Sequence, residues 1–206
     1  SKDQTYFLYR MDPEIASKVV FPLGDFLKSE VRQLASSNNL PTASRPDSQG
    51  LCFVGNVPIK DFLGEFIKPE AGDIVDDLGN VVGKHMGAYA FTVGQRHGLG
   101  VGGGKPYFVY KIDTKANKIF VTTDENSEFL NKKSFKIADC VWWSDPLTHK
   151  KLEVKVRYRS ESVPCTIAES NGEFDIKLDR KERAITPGQS AVLYDGDEVV
   201  GGGVIQ

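Results

Sequence analysis

Of the side chains able to do covalent chemistry, Cys52 has the most suggestive setting. It lies in residues 47–56, Asp-Ser-Gln-Gly-Leu-Cys-Phe-Val-Gly-Asn, on a short apolar run between Gly50 and Gly55. Glycines permit positive φ and leave room for a substrate or a second chain to approach the sulfur. Leu51, Phe53 and Val54 can anchor the run in a core. Thiol reactivity follows thiolate fraction and access, so this setting suits a nucleophilic or sulfur-carrying cysteine. The same residues also read as a half-buried strand in which Cys52 is a small hydrophobe, because free cysteine is among the most buried residue types. The residues alone leave both readings open.

Other groups are weaker candidates. Residues 98–104, Gly-Leu-Gly-Val-Gly-Gly-Gly, invite comparison with a phosphate-binding loop, but no helical pattern and no Gly-Lys-Ser/Thr follows them. A flexible loop that packs against a substrate is the better expectation, with Gln95, Arg96 and His97 as polar groups beside it. Arg96 could equally pair with a surface acid. His85, His97 and His149 are too scattered for a metal site, and no local Cys-His pairing supports a protease reading of Cys52. Residues 155–160, Lys-Val-Arg-Tyr-Arg-Ser, alternate so that one strand face would carry Lys155, Arg157 and Arg159. Such a strip can grip phosphates, or it can be a solvated face. Trp142 and Trp143 would point to opposite faces of a strand.

These groups sit on a chain of 206 residues with 40% hydrophobic and 26% charged residues and a mean hydropathy of -0.31, the composition of a globular protein with apolar mass for a core. A net charge of -2 gives no global basic field, so nucleic-acid binding would rest on local patches. Three cysteines, at 52, 140 and 165, indicate neither a disulfide framework nor a zinc knuckle. No apolar run is long enough to cross a bilayer and the N-terminus does not look like a secretion signal, so the expected compartment is the cytoplasm, with no membrane partner.

Residues 2–10 carry Tyr6, Phe7 and Tyr9. Asp12 and Pro13 then start a short helix over 13–18. Helical spacing of Phe26, Leu27, Val31, Leu34 and Ala35 predicts a second helix over 26–36, and residues 61–67 predict another. From Gly72 onward the chain reads as strands and turns. A hairpin is expected over 73–83, with further strands at 91–93 and 107–112. A polar turn at 113–117 marks a boundary before a strand at 119–121. Strands then follow at 135–137, 140–143, 152–158, 164–168, 174–178, 190–194 and 199–205, with Asn171-Gly172 and Asp195-Gly196 as turns. Regular short strands suggest a small closed barrel. The expected fold is mainly β with a small α-helical N-terminal segment, a small central domain and a C-terminal β-barrel. The expected divisions are 1–50, 51–113 and 114–206.

Six stretches in order resemble one family, the bacterial tRNA-specific 2-thiouridylases, which place sulfur on the wobble uridine of certain tRNAs. They are residues 2–8 (Lys-Asp-Gln-Thr-Tyr-Phe-Leu), 21–24 (Phe-Pro-Leu-Gly), 47–55, 92–100 (Thr-Val-Gly-Gln-Arg-His-Gly-Leu-Gly), 156–159 (Val-Arg-Tyr-Arg) and 186–191 (Thr-Pro-Gly-Gln-Ser-Ala). The family's Ser-Gly-Gly-Val-Asp-Ser loop for ATP and its first catalytic cysteine have no match in these residues. The resemblance therefore implies the C-terminal part of such an enzyme, with residues 1–50 as the last segment of its ATP-pyrophosphatase-type catalytic domain. ATP and magnesium would be bound outside these residues, and this part alone would be inactive.

The resemblance implies that Cys52 bears the persulfide whose sulfur displaces AMP from an adenylated uridine, assisted by a transient disulfide with the unmatched cysteine. It implies tRNA contact by Lys2, Asp3, Gln4, Arg157, Tyr158 and Gln189. It also implies as partners a tRNA of the Lys, Glu or Gln type and a sulfur-carrier protein or cysteine desulfurase. Cys165 matches a family cysteine with no catalytic role, and Cys140 reads as core. Two alternatives of other classes are a non-catalytic tRNA-binding module and a barrel that binds protein partners.

Overall fold

The computed structural model describes residues 4–46, 57, 59–102 and 104–206. Cys52 with its flanking glycines, and also Lys2 and Asp3, lie outside the described residues.

Among the described residues, four short helices precede the strands. The first, α1 (Thr5–Leu8), contains the aromatic cluster, and α2 (Pro13–Ala16) is capped as expected, the Asp12 carboxylate accepting from the Glu14 N–H at 2.8 Å. The best helical pattern becomes α3 (Lys28–Ser37), and α4 spans Ile59–Gly64. Helix α3 starts after Leu27, whose N–H donates to the Glu30 carboxylate at 2.6 Å, which leaves Phe26 and Leu27 before the first turn. No residue of α3 is buried, and Phe26, Leu27 and Leu34 stay exposed.

The central strands are β1 (Gly72–Asp76), β2 (Val81–His85), β3 (Phe108–Asp113) and β4 (Lys118–Thr122), in the order β2-β1-β4-β3. The β1–β4 pair is parallel and the outer two pairs are antiparallel. Ile74, Val109, Ile119 and Val121, all fully buried, form the core with Ala88 and Leu99. The β1–β2 turn is held by the Asp76 carboxylate, which accepts from the N–H groups of Leu78 and Asn80.

Two expectations change here. The polar turn at 113–117 does not separate domains but joins β3 to β4 inside one sheet. Asn117, at φ 50, fixes that turn by donating to the carbonyls of Glu70 and Ala71 and accepting from the Ala88 N–H. The strand at 119–121 thus belongs to the central sheet, because Ile119 and Val121 bury against Ile74 and Val109. The strand expected at 91–93 is absent: a single 3-10 turn (Ala88–Ala90) leads into a loop. That loop touches β3 through Gly94 N–H to Val109 O and Val109 N–H to Gln95 O.

The barrel strands are β5 (Asn131–Trp142), β6 (Leu152–Lys155), β7 (Val163–Ser170), β8 (Glu173–Arg183), β9 (Ser190–Asp195) and β10 (Glu198–Ile205). They close in the order β10-β5-β8-β7-β6-β9, with every neighbouring pair antiparallel. Closure removes free edges. Inward residues such as Ile137, Val154, Ile176, Leu178 and Leu193 fill the interior. The strands expected at 135–137 and 140–143 are one strand, β5, which bends at Asp139 (φ 49), close to a shift in its register with β10. At the tip between β7 and β8, Asn171 (φ 54) and Gly172 (φ 79) both take positive φ, as a tight hairpin turn requires.

Candidate nucleic-acid interface

Helix α1 is fastened to the barrel by three hydrogen bonds. The Tyr6 hydroxyl donates to the Ser190 carbonyl at 2.7 Å, the Tyr9 hydroxyl bonds the Ser190 hydroxyl at 2.8 Å, and the Trp143 indole donates to the Tyr9 carbonyl at 3.0 Å. Tyr6 and Tyr9 are three positions apart, which puts both on one helix face. They bury beside Val192 and Tyr194, with Tyr158 and Val199 packed around them. The seat on β10 depends on Gly202, where a Cβ would stand 2.4 Å from the Ala191 carbonyl oxygen and 3.0 Å from the Tyr9 ring. Burial pushes the Tyr6 hydroxyl up to about 12; nearby Tyr9 and Tyr194 add to this and the Arg157 charge opposes it. Tyr6 is therefore a neutral donor at all physiological pH values.

The basic stretch departs from expectation. Strand β6 ends at Lys155, and residues 156–160 turn away, with Arg159 at φ 71. Ser160 closes this turn, both its N–H and its hydroxyl donating to the Arg157 carbonyl. Lys155, Arg157 and Arg159 therefore do not share a strand face. The Lys155 ammonium sits 4.8 Å from the Tyr194 ring centroid, and the Arg159 guanidinium 5.3 Å from that of Tyr158. Arg157 donates to the Arg183 carbonyl at 2.8 Å and lies 3.5 Å from the Glu182 carboxylate. One edge of its guanidinium is thus tied to β8 while the side chain keeps 40% of its accessible surface.

The residues that the resemblance implies for tRNA contact, as far as they are described, gather around Tyr6. Gln4 is exposed at the N-cap of α1. The Tyr158 ring lies 6.1 Å from Tyr6 and 4.7 Å from Phe7. Gln189 precedes Ser190, the residue that receives the Tyr6 hydroxyl, and its side-chain oxygen is buried without a protein partner among the described residues. Arg157 is close enough to Tyr6 to perturb its ionisation.

The docking residues Tyr6, Tyr9, Trp143 and Ser190 carry no chemical signature in sequence. The i, i+3 spacing of the two tyrosines was the available signal. Arg183 also went unread: its guanidinium lies 4.9 Å from the centre of the Phe108 ring, and that of Arg96 lies 5.9 Å from the same centre. Arg96 thus stands by an aromatic ring at the edge of the central sheet. Trp142 and Trp143 part as expected, Trp142 packing on the barrel core against Phe174 while Trp143 reaches α1.

The remaining candidates are held in structural contacts or buried. Burial pushes the Cys140 thiol up to about 11 and that of Cys165 to about 12, helped by the charges of Asp139 and of Asp179 and Glu153 respectively. Both stay protonated near neutral pH, whereas sulfur nucleophiles act as thiolates. His85 is buried in the central sheet, accepts from the Gly87 N–H at 3.0 Å, and has its pKa lowered by that burial. His149 bridges two barrel-end loops, with Asp195 at 2.7 Å on one ring nitrogen and Ser144 at 2.9 Å on the other. Among the described residues no group of His, Cys, Asp or Glu is arranged to hold a metal ion. The glycine-rich residues lead through 105–107 into β3 rather than into a helix, so they lack the helix N-terminus that a phosphate loop uses. Among the described residues no helix is long and apolar enough to cross a membrane.

Three family models match consecutive parts of the chain. They are a tRNA methyl transferase HUP domain at residues 1–56, a tRNA methyl transferase PRC-barrel domain at 60–123 and an aminomethyltransferase beta-barrel domain at 132–205. The second ends after β4 and the third begins within β5, in line with the division of strands between the sheet and the barrel. Proteins named tRNA-specific 2-thiouridylase MnmA match the whole chain. Those of Francisella philomiragia and Chromobacterium violaceum are each 41% identical over 213 residues, and that of Acidobacterium capsulatum is 42% identical over 219. The chain spans 59%, 56% and 58% of these relatives respectively. With three consecutive models matched and 41–42% identity along the whole of this chain, it is similar to part of a tRNA-specific 2-thiouridylase.

Proposed function

We propose that this chain supplies the tRNA-gripping surface and the sulfur-bearing cysteine of a tRNA 2-thiouridylase, a sulfurtransferase acting on the wobble uridine. The observation that carries the reading is the convergence at α1. Tyr6 reaches across 184 positions of sequence to Ser190 and so gathers Gln4, Arg157, Tyr158 and Gln189 into one neighbourhood. Its polar, aromatic and cationic groups suit an RNA backbone and its unpaired bases. Lys2 and Asp3 precede Gln4 directly and belong to the same proposed contact.

Cys52 is the proposed persulfide carrier. Its place in residues 47–55, one of the stretches that resemble the family, supports this assignment, and burial holds the other two thiols, Cys140 and Cys165, protonated. The Cys52 thiolate would receive sulfane sulfur from a sulfur-carrier protein or a cysteine desulfurase. The terminal sulfur would then attack C2 of the adenylated uridine, the C2–O bond breaking with loss of AMP. The second cysteine that the resemblance implies would attack the Cys52 sulfur, so that the S–S bond breaks and a disulfide remains, to be reduced by an external thiol. Low-pKa terminal sulfur is a good nucleophile near neutral pH. Activation of the departing oxygen through ATP and magnesium is assigned to no described residue, since none forms a phosphate loop. A cytoplasmic location follows from the substrate.

The test is the modification itself. Mass spectrometry of tRNA from cells deleted for the gene encoding this chain is expected to show loss of wobble 2-thiouridine, restored by returning the gene. Unchanged 2-thiouridine would overturn the enzymatic reading, and if the purified protein still bound tRNA, a non-catalytic binding module would replace it.

A further inference from the structure

We infer that Phe7 and Tyr158, with Arg159 beside them, form a stacking site for an unpaired nucleobase of the bound RNA. The inference rests on the tRNA reading above and adds two residues, Phe7 and Arg159, that the resemblance leaves without a role.

Helix geometry separates Phe7 from its neighbours. Tyr6 and Tyr9 face the barrel, and Phe7, about 100° around the helix from Tyr6, faces outward with 56% of its surface exposed. Single exposed apolar residues are ordinary. This ring is unusual in being clamped while it is exposed. Its centroid is 5.2 Å from that of Tyr6, edge to face at 89°, and 4.7 Å from that of Tyr158 at 47°. Tyr6 is itself fixed by its bond to Ser190. The neighbouring Tyr6 and the sequence-distant Tyr158 therefore hold this ring in place, with much of its surface left to solvent.

The surroundings say what would cover it. The Arg159 guanidinium lies 5.3 Å from the Tyr158 ring centre, on an exposed residue with φ 71. Arg157, close enough to Tyr6 to perturb its ionisation, adds a second cation. A purely apolar partner would meet these two charges unfavourably. A nucleotide meets both parts, its base stacking on the aromatic surface and its phosphate lying by a guanidinium. The bases of a duplex are already stacked on one another, so only an unpaired nucleotide can use the site.

Three variants of the chain, titrated with bulk bacterial tRNA and with a blunt RNA duplex of similar length, test this. Phe7→Leu keeps the contact with Tyr6 but removes the π-face, and is expected to weaken tRNA binding roughly 5- to 150-fold, the range for loss of one base–aromatic stack. Duplex binding and the salt dependence should not change. Phe7→Trp should restore affinity and show tRNA-induced fluorescence quenching beyond that of Trp142 and Trp143 in the wild type. Arg159→Gln should weaken binding and flatten the salt dependence.

If Phe7→Leu binds tRNA like the wild type while Arg157→Ala is weakened, the stacking site falls and the tRNA reading stands. Equal weakening for tRNA and duplex, or no rescue by Phe7→Trp, also overturns the site. A wild-type chain with no salt-dependent affinity for tRNA overturns both.

Discussion

Replacing Tyr6 by phenylalanine should produce stability curves that cross with pH, because one hydroxyl both holds α1 to the barrel and resists ionisation. At neutral pH the variant loses the bond to the Ser190 carbonyl, worth about 1 kcal/mol. Above pH 10 the balance changes. In the unfolded chain Tyr6 titrates near 10, whereas in the folded chain burial pushes it up to about 12. Between those values the folded state holds more protons than the unfolded state, so stability falls as pH rises. A gap of about two pH units at 1.36 kcal/mol each gives about 2.7 kcal/mol lost by the wild type once both forms are ionised. The variant has no such hydroxyl to ionise, and the other tyrosines titrate in both proteins. The wild type should therefore lead by about 1 kcal/mol below pH 9 and trail by about 1.7 kcal/mol above pH 12, the curves crossing between about pH 10 and 11. Urea unfolding at pH 8 to 12 measures this directly. Curves that stay parallel, with the wild type ahead throughout, would show that Tyr6 is not sealed against the barrel and would remove the anchor from the proposed interface.

Arg157→Ala should weaken tRNA binding and lower the slope of log affinity against log salt by about 1, the signature of one lost phosphate contact; an unchanged slope would leave Arg157 as a tie between the 156–160 turn and β8. Iodoacetamide applied to the folded chain near neutral pH should label Cys52 well before Cys140 and Cys165, which burial keeps protonated; peptide mapping that finds either of those two first would contradict the account of their burial. Gly202→Ala places a methyl group against the Ala191 carbonyl and the Tyr9 ring, and should destabilise the chain by about 1–3 kcal/mol in urea unfolding, whereas Gly172→Ala in the open β7–β8 tip should show only the effect of its positive φ.

Most of the strand content was legible because it follows from alternation and turn residues. Asn171-Gly172 marks a hairpin on chemistry alone, and Asp12-Pro13 marks a helix start for the same kind of local reason. What could not be read depends on partners distant in sequence. The turn at 113–117 has the composition of a linker, and the pairing of β4 with both β3 and β1 makes it internal to a sheet. The alternation of Lys155, Arg157 and Arg159 has the period of a strand, but Ser160 closes a turn there and scatters the three cations. The seat of α1 needs Gly202, Ser190 and Trp143 together, three residues with no common pattern. Apolar periodicity at 26–36 predicts a helix, which α3 (Lys28–Ser37) is, although none of its residues is buried.

Sulfur carriage by Cys52 and tRNA binding by the surface around α1 are separable by a single substitution. In cells whose only copy of the gene carries Cys52→Ser, mass spectrometry of tRNA should find wobble 2-thiouridine absent, while the purified variant binds tRNA as the wild type does, because a hydroxyl preserves the size of the side chain but cannot carry a persulfide. Wild-type levels of 2-thiouridine in those cells would contradict the account.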